Sequence, residues 1–147
     1  MDILSKLPER LKELMFDKGV NVATLAQAVG VRTNAITRYL SGAHIPKFET
    51  FVAIINYFNC SADFFLGISD EPNYNRNYLP VPAFSGQLRQ VLLDCKISQY
   101  ALQKSTKISW ANFHYWLNGL RLPYPDNLYK IANALNISVD YLLGRVK

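Results

Sequence analysis

The strongest constraint on how this chain can fold is that it contains one sequence twice. Sliding the 147 residues along themselves superposes Arg10–Gly67 on Gln87–Gly144 without a gap. Thirteen identities fall within those 58 positions, and many of the other pairs exchange one apolar residue for another. The shared positions include punctuation: Gly42/Gly119, Pro46/Pro123, and a closing Ser-x-Asp-x-x-Leu-Gly at 61–67 and 138–144. A repeat of this kind reads as two copies of one small domain. Each copy is about 60 residues, a size that folds alone only marginally. The expected division is a first domain over 1–69, a linker over 70–82 and a second domain over 83–147. The linker, Asp70–Pro82, holds three prolines and three asparagines. That composition forbids a continuous helix and favours an extended, semi-stiff connector.

Apolar residues in the first repeat recur at helical spacing. Leu4, Leu7, Leu11, Leu14 and Met15 form one stripe, ending before Gly19. Asn21 is placed to cap a second helix bearing Val22, Leu25, Ala26 and Val29, and Gly30 to end it. A third helix turns Ile36, Tyr39 and Leu40 inward, and a fourth carries Phe51, Ile54, Ile55 and Phe58. Ser61 caps a last turn, with Asp63 at its positive end. Repeat two follows the same scheme, with Ser98 and Ser109 as the corresponding caps. Nothing alternates like a strand, so the expected class is all-α, five helices per repeat.

Charge qualifies where a partner would sit. The net charge is +5, yet residues 1–70 hold seven basic and seven acidic side chains, and residues 82–147 hold eight basic and three acidic. Half of the chain is hydrophobic and 18% is charged, which excludes wholesale disorder. No apolar run reaches the roughly 18 residues of a membrane helix. Met1–Lys6 lacks the features of a signal peptide, and two cysteines make no disulfide framework. The expectation is a soluble cytoplasmic protein with no membrane partner.

The segment Thr24–Gly42, followed by Pro46, an apolar helix and Ser61–Gly67, resembles the Cro and lambda-repressor-like (XRE-type) helix-turn-helix family. Ser98–Leu102, Asn118–Pro123 and Ser138–Gly144 carry the same resemblance through repeat two. It implies two tandem five-helix domains, each with a third helix able to enter the DNA major groove. Periodicity independently turns Thr33, Asn34, Thr37, Arg38 and Ser41 outward on that helix in repeat one. These are apt side chains: Asn pairs with adenine, Arg forks onto guanine, and a Thr methyl meets a thymine methyl. From Gly30 through Phe48 the charged residues are Arg32, Arg38 and Lys47, all basic. Neutral repeat one therefore hides a local positive face, suited to phosphate neutralisation. The bland alternative is a solvated polar helix.

In repeat two, Lys96, Lys104, Lys107 and Arg121 surround the motif, with no acid between Asp94 and Asp126. Gln99 matches a family position that commonly contacts phosphate or a base; repeat one departs there with Val22. The candidate DNA contacts of this repeat are Gln99, Lys104, Lys107, Ser109, Asn112 and Arg121. Its third helix, however, turns out Trp110, Ala111, His114, Tyr115 and Asn118, with no charge between Lys107 and Arg121. Trp110, His114 and Tyr115 equally suit a protein interface. Two arrangements stay open. A fused pair can mimic a dimer whose recognition helices lie one DNA turn apart, about 34–36 Å. Alternatively, repeat two forms a homodimer and leaves two copies of repeat one to read a symmetric operator.

Catalysis finds no footing: His44 and His114 fall at different positions of their repeats, and no CxxC, HExxH or phosphate-cradling glycine loop occurs. No enzyme, metal or cofactor is expected. Cys60 reads as a core residue and Cys95 as near the surface. Asn59-Cys-Ser61 and Asn136-Ile-Ser138 fit glycosylation sequons but are explained by helix capping. The resulting expectation is a prokaryotic or phage-encoded transcriptional regulator, acting on double-stranded DNA as a repressor by operator occupancy. The alternative is a protein-interaction module, antitoxin-like or regulator-binding, on the same scaffold.

Overall fold

The computed structural model describes residues 3–147. Met1 and Asp2, which open the segment read above for a signal peptide, lie outside the described residues. The chain divides into two compact units, Met1–Asn77 and Tyr78–Lys147. Among the described residues there is no strand. Unit one comprises a 3-10 turn (Ile3–Lys6) and helices α1 (Leu7–Lys18), α2 (Val22–Val29), α3 (Thr33–Ser41), α4 (Phe48–Phe58) and α5 (Ala62–Phe65). Unit two comprises α6 (Phe84–Asp94), α7 (Gln99–Thr106), α8 (Trp110–Leu117), α9 (Pro125–Leu135) and α10 (Val139–Leu143). Each unit thus has the five α-helices its periodicity announces.

Local chemistry explains most boundaries. The side chains of Asn21, Ser61, Ser98, Ser109 and Ser138 each accept a bond from the backbone N–H three residues on, capping α2, α5, α7, α8 and α10. Gly19, Gly30 and Gly42 close α1, α2 and α3 in the left-handed conformation. Asn59 and Asn136 do the same for α4 and α9, at φ 51° and 55°, so both sequon asparagines are helix caps. The first stripe departs from a single helix: α-helical bonding begins only at Leu7. The preceding turn is 3-10, and Pro8 sits in the first turn of α1, where no N–H is needed.

In unit one α1 packs on α3 and α5, and α2 on α3 and α4. Leu7, Leu11, Leu14, Leu25, Ile36, Phe51, Ile54, Ile55 and Phe65 are fully buried, with Phe51 and Phe65 stacked at 5.4 Å. In unit two α6 packs on α8 and α10, and α9 on α7 and α10. Leu88, Val91, Leu102, Phe113, Leu128, Ile131, Val139 and Leu142 fill that core, and Trp116 meets Phe113 edge-on at 5.2 Å. Cys60 is buried in unit one and Cys95 is half-buried in unit two.

The Asp70–Pro82 segment is shared out between the units. On unit one, the Asn59 side-chain amide donates to the carbonyls of Tyr74 (2.7 Å) and Arg76 (3.0 Å), and the Tyr74 hydroxyl donates to Asp17 (2.9 Å). Partial burial of the Tyr74 phenol, helped by that bond, raises its pKa well above the ordinary value of 10.0. On unit two, the Leu79 N–H donates to the Arg145 carbonyl at 2.8 Å, and the Arg145 guanidinium lies 4.0 Å over the Tyr78 ring. Arg145 is fully buried and bonds Asp140 at 2.7 Å. Asp94, the repeat-two counterpart of Asp17, also accepts a tyrosine hydroxyl, this time from Tyr141 of α10 at 3.0 Å. The bond to Asp94 raises the Tyr141 pKa, with desolvation adding to it.

Candidate nucleic-acid interface

The α2–α3 pair of unit one presents what its periodicity requires. Ile36 and Tyr39 are buried and Leu40 is half-buried, which leaves Thr33, Asn34, Thr37, Arg38 and Ser41 exposed on α3. Arg32 precedes the helix and Lys47 precedes α4; both are exposed. Among the described residues, Arg32, Arg38 and Lys47 make no ion pair, so their charges are available to a ligand. Two of the hydroxyls are already committed as donors. Thr37 Oγ1 donates to the Thr33 carbonyl at 3.1 Å, and Ser41 Oγ donates to the Arg38 carbonyl at 3.1 Å while accepting from the Ala43 N–H at 3.3 Å. Thr37 therefore offers a methyl group and an acceptor lone pair, while Asn34 and Arg38 supply the donors.

Unit two presents a different face at the same positions. Trp110, Ala111, His114 and Asn118 are exposed, while Tyr115, expected on the outer face, is half-buried beneath Arg121, whose guanidinium lies 4.3 Å from the ring centre. Trp110 and His114 stack at 4.8 Å with planes 16° apart. The Asn118 side-chain amide donates to the His114 carbonyl at 2.7 Å and lies 3.3 Å from its Nδ1. Lys104, Lys107 and Arg121 are exposed. Ser109 is the cap of α8, its Oγ accepting from the Asn112 N–H at 3.2 Å, and the Asn112 side chain is half-buried. Gln99 is half-buried and donates to Gln103 Oε1 at 3.0 Å, a bond it would have to exchange to meet a phosphate. The structure thus groups the unit-one candidates on α3 and the residues that flank it. Those of unit two divide between exposed cations and tethered polar groups.

Two features of unit two escaped the motif-based reading. Leu120, Leu122 and Tyr124 are exposed, in the loop where unit one has Ala43, Ile45 and Lys47. Lys96 and Lys107 take φ of 54° and 61° where unit one has Gly19 and Gly30. Unit two therefore holds two cations in a conformation that disfavours any residue with a Cβ. Both signals were present in the gapless alignment, as the Ala43/Leu120 and Lys47/Tyr124 exchanges and as two Lys-for-Gly exchanges. Among the described residues, no group of three or more His, Cys, Asp or Glu side chains could hold a metal ion, and no helix is long and apolar enough to cross a membrane.

Comparison with known families supports the same assignment for both units. The family description "Cro/C1-type HTH DNA-binding domain" matches residues 87–147, and "helix-turn-helix" matches residues 11–65. No curated protein and no solved structure matches the chain. With both units matched in tandem, the chain belongs to the Cro/C1-type helix-turn-helix family, with two copies of the domain.

Proposed function

We propose that the protein is a sequence-specific regulator that binds double-stranded DNA and represses transcription by occupying an operator in the cytoplasm. One observation carries this reading. The exposed face of α3 joins side chains suited to base reading, Asn34 and Arg38, to cations that make no ion pair among the described residues, in a stretch from Gly30 to Phe48 that contains no acid. In this reading Asn34, Arg38 and the Thr37 methyl meet base edges, while Arg32, Lys47, Thr33 and Ser41 hold the backbone. Unit two adds Lys104, Lys107 and Arg121 to phosphates, so the domains at 1–69 and 83–147 both lie on the duplex.

The test is binding to duplexes selected from a random pool. Arg38→Ala and Asn34→Ala should each relax preference at one base pair by about 1–3 kcal/mol. A uniform loss across sequences reassigns them to phosphate contact. Affinity should fall steeply with salt, since each neutralised phosphate contributes a slope of roughly −0.9. No binding to duplex at low salt overturns the reading. A second reading, unit two as a homodimer or partner-binding surface, is favoured by the exposed Trp110, Leu120, Leu122 and Tyr124. Sedimentation of Trp110→Ala beside the parent chain separates it: an unchanged mass eliminates self-association through this face.

A further inference from the structure

The α8 face of unit two is poorer in hydrogen-bonding side chains than α3. Where α3 has Asn34 and Arg38, the repeat places Ala111 and Tyr115. Asn118 is engaged with His114, Tyr115 lies beneath Arg121, and the Asn112 side chain is half-buried. What α8 offers instead is ring surface. Trp110 is 60% exposed even though His114 covers part of it, and Ala111 beside it projects only a methyl group. Leu120, 63% exposed, and Tyr124, 52% exposed, add apolar surface in the loop after α8. Of the groups a duplex shows in its major groove, the thymine C5-methyl is the one that an apolar side chain recognises.

Charge selects between occupants. Unit two carries eight basic and three acidic side chains, with no acid between Asp94 and Asp126. A second copy laid on this face brings like charge to like charge, whereas a duplex brings opposite charge. Lys96 and Lys107 reinforce this, since both hold their charge in a disfavoured backbone conformation.

We propose that α8 of unit two reads thymine methyl groups, with Trp110 as the specificity-determining contact and Ala111 permitting close approach. The preferred site of unit two is then rich in thymine and unlike that of unit one. This inference rests on the chain binding duplex DNA.

The test uses the full chain and a duplex selected from a random pool, prepared once with thymine and once with deoxyuridine at the same positions. The exchange removes only methyl groups. Deoxyuridine within one part of the site should weaken binding about fourfold per contacted methyl. Trp110→Ala should abolish that sensitivity and leave base-pair discrimination elsewhere in the site intact. Folding of the variant is checked through Trp116, which is 3% exposed and is its one remaining tryptophan. The deoxyuridine comparison needs no variant at all. Equal affinity for the two duplexes overturns the proposal and leaves duplex binding standing, whereas failure of both to bind at low salt overturns the underlying reading. If Trp110→Ala lowers the sedimentation mass and the parent chain binds both duplexes equally, a second copy occupies this face and the proposal falls.

Discussion

Arg145→Met should unfold unit two under conditions that leave unit one folded. The guanidinium is fully buried, 2.7 Å from an Asp140 carboxylate that is itself 5% exposed. Methionine nearly matches the length of the side chain but strips Asp140 of its buried cation and Tyr78 of the charge over its ring. Breaking a buried pair from one side costs about 3–5 kcal/mol. A unit of this size has a total stability of roughly 4–10 kcal/mol, so the loss consumes much of it. Both tryptophans, Trp110 and Trp116, lie in unit two, so their emission follows that unit alone during urea unfolding. With an m-value of about 1.2 kcal/mol/M, the midpoint should fall by about 2.5–4 M. Changing both partners, in Asp140→Asn/Arg145→Met, should recover at least half of the loss, because no buried charge is then stranded. A tryptophan midpoint shifted by the equivalent of less than about 1 kcal/mol in Arg145→Met would refute the argument.

Lys107→Gly should stabilise unit two by about 1 kcal/mol, because glycine accepts the left-handed conformation at no steric cost, while lowering affinity for random duplex at low salt; a stabilised variant with undiminished affinity removes Lys107 from the DNA contacts. Gly144→Ala should cost more than Gly30→Ala: both have positive φ, but only at Gly144 would a Cβ meet neighbours, Pro82 Cδ at 2.8 Å and Gln87 Cδ at 3.1 Å. Strain alone at Gly30 is about 1 kcal/mol, with overpacking adding about 1–3 at Gly144, and equal losses in urea melts would contradict the packing. For Tyr74, the folded pKa lies above the unfolded value, so its hydrogen bond to Asp17 stabilises fully below pH 10 and is lost as pH rises through the folded pKa. Tyr74→Phe should remove one late-titrating phenol from the alkaline absorbance curve, and an unchanged late phase would argue against the bond.

Much of the fold was legible because its signals are local. Asn21, Ser98 and Ser109 cap helices through an N–H three residues away, and Gly30 ends one through its own φ. The face of α3 was legible for the same reason: 3.6-residue periodicity turns Asn34 and Arg38 out whenever Ile36 and Tyr39 go in. Tyr115 shows where this runs out. Periodicity turns it outward, but Arg121, beyond the end of α8, lies over its ring.

The sequence by itself determined the doubling, the helical class, the caps and the basic face of unit one, since each depends on residues only a few positions apart or on direct comparison of the repeats. Only the tertiary structure decided the fate of polar groups with distant partners. The duplicated aspartates are an example: Asp17 takes its tyrosine from the connecting segment and Asp94 takes one from α10. Arg145 is another, a cation near the end of the chain that lies buried against Asp140 and Tyr78. A charged or hydroxylated side chain is equally at home in water or in a satisfied interior site, and which of these it occupies follows from what the folded backbone brings beside it.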